Sequence, residues 1–118
     1  MGSISVKKKI EAILVGANLT GVNLIGTNLA GTNLSRTNLS GVDLSGKDLT
    51  GVNLSGQDLR NLDLTGTTLI QANLSRTNLS GVDLSGKDLT GTTLIQANLS
   101  GTNLSGVDLS KKKKLKQF

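Results

Sequence analysis

Leucine recurs at every fifth position of the chain, without a gap, from Leu14 to Leu109. The residue before each leucine is Asn or Asp in nearly every unit, and the residue two before it is usually small or β-branched. Glycine stands two positions after the leucine in most units. The pattern of apolar and polar positions along the chain therefore repeats every five residues.

A period of five fits neither the 3.6 residues of a helical turn nor the two-residue alternation of a long strand. Repeated glycines would also weaken any helix by roughly 1 kcal/mol each. The pattern instead predicts a very short extended segment followed by a turn, because glycine accepts the positive φ of a type II turn. Four such units would close a coil of twenty residues, and successive coils would stack about 4.8 Å apart.

The units 17–21 (Ala-Asn-Leu-Thr-Gly) and 72–76 (Ala-Asn-Leu-Ser-Arg) resemble those of the pentapeptide repeat family. The resemblance implies an all-β fold, a right-handed quadrilateral parallel β-helix of about five coils of four pentapeptides. It also implies that the leucine and the residue two before it face inward. On this basis residues 14–110 are expected to form the β-helix, preceded by an N-terminal cap segment at 1–13 and followed by a basic tail at 111–118.

Three inward positions carry long polar residues, Lys47, Gln57 and Lys87. A fully buried ammonium group would be costly, so we expect these three side chains to bend outward at the corner and reach water beside Asp48 and Asp88. The alternative is a buried lysine with a lowered pKa that takes part in chemistry. Because residues 35–51 are repeated identically at 75–91, Lys47 and Lys87 are copies of one feature.

The composition excludes several kinds of chemistry. The chain has no Cys, His, Pro, Trp or Tyr, and Phe118 is its one aromatic residue. Disulfides, zinc sites of the usual ligand set and Cys or Ser/His nucleophiles are therefore ruled out. Ser, Thr and Asp are abundant, but the repeat accounts for their spacing, so we expect no enzyme activity, no catalytic or metal-binding residue and no cofactor.

The net charge of +5 is unevenly distributed along the chain. Eight of the thirteen positive residues lie in the terminal runs Lys7–Lys9 and Lys111–Lys116, whereas residues 10–110 carry five positive and eight negative residues, a net charge of −3. A nucleic-acid-binding protein usually spreads basic residues over one face and adds stacking aromatics. The body shows neither feature, which argues against direct nucleic-acid binding.

Steps of twenty residues place the aspartates of the body in two vertical files. One file comprises Asp43, Asp63 and Asp83, and the other, interrupted at Thr68, comprises Asp48, Asp88 and Asp108.

Some members of the resembled family resist quinolones or inhibit DNA gyrase by imitating duplex DNA, so both files are candidate partner-binding sites. Charge density argues against this interpretation, because a duplex carries one charge per about 1.7 Å and the body has a net charge of only −3. Under the alternative hypothesis, Asp and Asn are interchangeable residues that form hydrogen bonds locally at the turns.

Leu115 and Phe118 are candidate contacts at the C-terminal end, either as a cover for the last leucines or in a homodimer formed through the coil ends. The basic tail is expected to be solubilising or to attract an acidic partner or membrane surface. No apolar run is long enough to span a membrane, and Glu11 interrupts the only stretch resembling a signal peptide, which favours a cytoplasmic protein.

Three functions remain open. The first is a non-enzymatic structural or protein-interaction scaffold with an unknown partner. The second is a DNA-mimicking protein that binds DNA gyrase, and the third is a binder of acidic partners or membrane surfaces through the lysine-rich ends.

Overall fold

The computed structural model of the chain describes residues 16–24 and 26–108. Within these ranges the backbone contains no helix and no continuous strand, and it alternates turns with isolated parallel bridges. The two residues of every bridge are twenty apart in sequence: 18–38, 33–53, 48–68, 53–73, 58–78, 73–93, 78–98 and 83–103. The chain therefore returns to lie beside itself after four pentapeptides, as the five-residue pattern predicts, and we call each twenty-residue return a coil.

Each complete rung between coils consists of two main-chain hydrogen bonds. The Leu54 N–H donates to the Asn73 carbonyl at 2.9 Å, and the Asn73 N–H donates back to the Val52 carbonyl at 2.8 Å. This pairing is the parallel β pattern, reduced to about one residue per side because a turn follows immediately. The backbone is therefore ordered by bonds between coils as well as by the turns within each coil.

The turns follow from the glycine positions. The Val52 N–H donates to the Leu49 carbonyl at 3.0 Å, and Gly51 between them has a φ of 69°. A positive φ at the third residue defines a type II turn and clashes with a Cβ atom, which glycine lacks.

Among the residues that replace glycine at the turns, Gln71, Arg76 and Gln96 keep a positive φ of 59–61°. Arg36 and Asn61 do not keep it. Their turns therefore differ from the type II geometry of the glycine units.

The leucines stack in the interior. From Leu29 to Leu94 the in-register leucines are buried, and most have at most 1% of their surface exposed. Val52 and Ala72, at the position two before a leucine, are fully buried beside them, as expected for inward positions. Val22, in the first described coil, differs in being 40% exposed.

The predicted cap at 1–13, the basic tail at 111–118 and the end contacts Leu115 and Phe118 lie outside the described residues.

Candidate functional site

The four files of residues along the coils fall into two pairs, which differ in how many neighbouring residues form β-bridges. We call these pairs the bridged side and the open side. The bridged side comprises the files 18–38–58–78–98 and 33–53–73–93, where every neighbouring pair except 38–58 forms a rung. The open side comprises the files 23–43–63–83–103 and 28–48–68–88–108. Among its described residues only 48–68 and 83–103 are bridged. Both predicted aspartate files lie on the open side.

The carboxylates of the first file, Asp43, Asp63 and Asp83, are exposed and accept hydrogen bonds from their own turns. In each case the main-chain N–H two residues later donates to Oδ1 at 2.9 Å. The hydroxyl of Ser45 also donates to Asp43 at 2.6 Å.

These side-chain hydrogen bonds, followed by the main-chain ones, lower the pKa of all three carboxyl groups below the ordinary value. Bonds to the ionised form have this effect because protonation removes an acceptor. The first file is therefore negatively charged at neutral pH.

The second file has the same local chemistry. Oδ1 of Asp48 accepts bonds from the N–H and hydroxyl of Thr50, and Oδ1 of Asp88 accepts the equivalent pair from Thr90. The asparagines on the bridged side do likewise, since the Ser75 N–H donates to Asn73 Oδ1 at 3.0 Å. The structure thus supports the hypothesis that Asp and Asn are interchangeable turn-stabilising residues, while leaving the carboxylates of both files exposed.

The bridged side holds one aspartate, Asp58, and its charge is compensated locally. Arg60 donates through Nε and a terminal nitrogen to the two carboxylate oxygens, at 2.9 and 2.6 Å. This fork lowers the pKa of Asp58 to about 2. The other described aspartates, which form the two files, all lie on the open side.

A groove of about 320 Å³ lies between two coils of the open side. Asp63 and Asp83 line it together with Lys87 and Leu62. The half-buried Lys87 ammonium donates to the Thr67 carbonyl at 3.0 Å.

Burial lowers the pKa of Lys87, whereas the charges of Asp83 and Asp63 act in the opposite direction. The expectation that the lysines simply reach water is therefore wrong in part, because the Lys87 ammonium is held by main chain of the preceding coil. The reason is that the carbonyl offers a hydrogen bond that replaces part of the lost hydration.

Leu62 lines the grooves on either side of its coil. It occupies an inward position that Ala, Val or Thr fills in most units, and it lines both the 320 Å³ groove and a second groove of about 460 Å³ beside Gln57. Leu62 is the one leucine between residues 14 and 110 that is out of the five-residue register, so the sequence did contain a signal for these grooves.

The described residues hold no cluster of side chains that could bind a metal ion. In the same part of the chain, no helix is long and apolar enough to cross a membrane.

The sequence matches the family model for pentapeptide repeats (8 copies) over residues 12–46, 48–86 and 72–110. These stretches cover most of the chain, and the chain therefore belongs to the pentapeptide repeat family. A comparison with curated protein sequences gives no match.

Solved structures of the same family are similar to this chain. A pentapeptide repeat protein from the thylakoid lumen of Arabidopsis thaliana is 23% identical with a TM-score of 0.53, covering 93% of this chain and 73% of its own. HetL from the cyanobacterium Nostoc, a protein involved in the regulation of heterocyst differentiation, is 32% identical with a TM-score of 0.34 over 87% of this chain and 52% of its own. The plasmid-mediated fluoroquinolone resistance protein QnrB1 is 22% identical with a TM-score of 0.38 over 79% and 58% of the two chains.

Family membership and the Arabidopsis structure establish a right-handed β-helix as the fold. Pentapeptide repeat proteins are generally non-enzymatic structural or interaction proteins.

Proposed function

We propose that this chain is a non-enzymatic scaffold, a β-helical rod of about five coils with a quadrilateral cross-section that presents its lateral faces to a protein partner. The glycine turns at intervals of five residues and the return at twenty support four sides per coil. A cytoplasmic location stays a prediction from the sequence.

The hydrogen bonds of the outward Asp and Asn side chains are the observation that supports the scaffold function most directly. The Asp and Asn oxygens that could activate a water or a nucleophile instead accept bonds from their own turns, as Asp43 does from Ser45. A general base needs an acceptor within reach of a substrate proton. The repeated surface chemistry is therefore explained by maintenance of the turns.

Ligand screening and turnover assays on the purified full chain test this proposal. We expect no thermal stabilisation and no turnover with panels of metabolites, nucleotides and esters, while a protein partner binds stoichiometrically in calorimetry. Reproducible turnover of any small molecule would overturn the proposal, provided that the activity copurifies with the chain through two orthogonal columns.

A second candidate function is binding to DNA gyrase by imitation of duplex DNA, and the exposed, ionised file Asp43, Asp63 and Asp83 favours it. The Lys87 ammonium beside two of these carboxylates weakens the resemblance to a duplex, because it offsets part of their charge.

A gyrase supercoiling assay with matched variants tests this candidate. The triple variant D43N/D63N/D83N keeps the turn-bonding oxygens and removes three charges, and D58N removes one charge from the bridged side. DNA mimicry predicts that wild type and D58N inhibit supercoiling and that the triple variant does not. If the wild-type chain is inactive at micromolar concentration, the candidate is discarded.

The third hypothesis concerns the lysine-rich ends, which lie outside the described residues, and it stays a prediction. It expects binding to acidic partners or anionic vesicles that weakens steeply with salt and disappears when both lysine runs are deleted.

A further inference from the structure

At three inward positions of the described residues, a long polar side chain coincides with an unformed rung to the coil before it. Three residues on one file provide an internal comparison: Lys47, Thr67 and Lys87 occupy equivalent inward positions one coil apart. The rung 48–68, which follows Thr67, is formed, and the Thr68 N–H donates to the Lys47 carbonyl at 3.1 Å. The rungs 28–48 and 68–88, which follow the lysines, are not formed within the described residues.

The lysine side chains occupy the carbonyls that such rungs would use. In a formed rung, the N–H after the inward residue donates to the carbonyl 21 residues earlier, as Asn73 does to Val52. The corresponding carbonyls for rungs 28–48 and 68–88 are those of Thr27 and Thr67. They accept instead from the Nζ of Lys47 at 3.4 Å and of Lys87 at 3.0 Å.

Gln57 repeats this arrangement on the bridged side. Its amide nitrogen donates at 2.6 Å to the carbonyls of both Thr37 and Leu34 in the preceding coil. The pair 38–58 is the one unformed rung of that side, whereas 18–38, 58–78 and 78–98 follow Thr or Ala and are formed. A neutral amide thus has the same effect as an ammonium group, so the length and donor capacity of the side chain matter more than its charge.

Grooves lie beside two of these three residues. Lys87 lines three grooves on the open side, of about 320, 380 and 230 Å³, and Gln57 lines the groove of about 460 Å³. The groove of about 380 Å³ lies between the two coils that the Lys87 side chain joins, whereas the groove of about 230 Å³ lies between Lys87 and the following coil. The other four unformed rungs of the described residues follow no long polar side chain: 43–63 follows Leu62, and 23–43, 63–83 and 88–108 follow Val42, Val82 and Val107.

We propose that Lys47, Gln57 and Lys87 are wedge residues, each of which replaces a main-chain rung with a side-chain hydrogen bond. At the corners that follow Lys47 and Lys87 the coils stay joined by main-chain bonds, from Gly31 to Thr50 and from Gln71 to Thr90, both at 2.8 Å. Two of the three wedges lie on the open side. The open side is consequently the more compliant side of the rod, and its coils open at lower free energy than those of the bridged side.

The hydrogen-exchange rate of a single main-chain amide reports whether that amide takes part in a rung. In Lys87→Thr the carbonyl of Thr67 becomes available, so the Asp88 amide should form the missing rung and exchange about tenfold more slowly. Threonine already occupies the equivalent open-side positions Thr67 and Thr102, where the rungs 48–68 and 83–103 are formed. Gln57→Val should slow the Asp58 amide in the same way.

Two further variants complete the test: one is a control that should leave a formed rung intact, and the other should open a formed rung. Thr67→Ala lies on the same file, where the rung is already formed, and Ala72 and Ala97 also precede formed rungs, so the Thr68 amide should keep its rate within about twofold. Thr77→Gln introduces a wedge without adding charge, and the Asn78 amide should exchange about tenfold faster as rung 58–78 opens. The proposal fails if the Asp88 and Asp58 amides keep their wild-type rates in Lys87→Thr and Gln57→Val, or if Thr77→Gln leaves Asn78 as protected as before.

Discussion

The bridged and open sides of the rod are built from the same pentapeptide and differ in their hydrogen bonding between coils. Both carry stacked leucines and type II turns, and both use Asn or Asp oxygens to hold those turns. The bridged side has small or β-branched inward residues at all but one described rung, whereas the open side carries Lys47, Leu62 and Lys87. The comparison shows that the turns are a local property, while the rungs depend on what stands between two coils.

The two sides also differ in their acidic residues. The open side carries both aspartate files, and on the bridged side Asp58 is paired with Arg60. The side with the incomplete ladder is therefore also the side with exposed acidic charge.

The largest predicted effect concerns the leucine core. Leu74 is fully buried on the bridged side between two formed rungs, and Leu64 is 3% exposed and lines the 320 Å³ groove. Truncation to alanine should lower the free energy of unfolding by about 4 kcal/mol at Leu74 and about 3 kcal/mol at Leu64, because the wider gap lets the neighbours of Leu64 relax. Urea unfolding followed by circular dichroism measures both values, and an equal or reversed order would contradict the difference between the sides.

The next effect separates the local turn from the contact between coils. Gly56 on the bridged side and Gly66 on the open side have φ values of 75° and 71°, so alanine costs about 1 kcal/mol at either position for backbone strain. A Cβ at Gly56 meets no atom within 4 Å, whereas one at Gly66 lies 3.4 Å from the Cα of Gly46. Gly66→Ala should therefore be the more destabilising, by about a further 1 kcal/mol. Equal midpoints in urea would show that the coils separate freely at this turn.

A smaller effect concerns the acidic pH range. The lowered pKa values of Asp43, Asp63 and Asp83 mean that their ionised forms stabilise the folded chain. This contribution is complete above the unfolded pKa, near pH 4, and is lost as the pH falls through the lower folded values. The variant D43N/D63N/D83N should lose less stability than wild type between about pH 4 and pH 2, measured as urea midpoints at each pH. Parallel curves for the two proteins would show that the turns do not depend on these charges.

The smallest effect lies at the ion pair of the bridged side. Arg60→Gln removes the guanidinium that lowers the pKa of Asp58 to about 2, so the Asp58 pKa should rise toward 3.8. Thermal stability should hardly change, because both side chains are about half exposed. A carboxyl titration followed by NMR measures the shift, with Asp83 as the internal control whose pKa should stay constant. An unmoved Asp58 would show that its turn bonds alone set the value.

Much of this architecture could be predicted from the sequence. The leucine period and the glycine spacing indicated a turn every five residues and a coil of twenty, and both are present in the described residues. The aspartate files were also placed correctly on the outside, because the residue beside an inward leucine must point outward. The chemistry at Lys87 could not be predicted in full, since its partner is a carbonyl twenty residues earlier and depends on how closely two coils approach.

The sequence alone determined the repeat, the inward and outward positions and the absence of cysteine and histidine chemistry. These are properties of single residues and of neighbours within one turn, where φ preferences and side-chain polarity suffice. Only the tertiary structure decided which rungs form, where the grooves open and which carbonyls the inward polar side chains bond. A rung joins residues twenty apart, and main-chain and side-chain donors compete there for the same carbonyl.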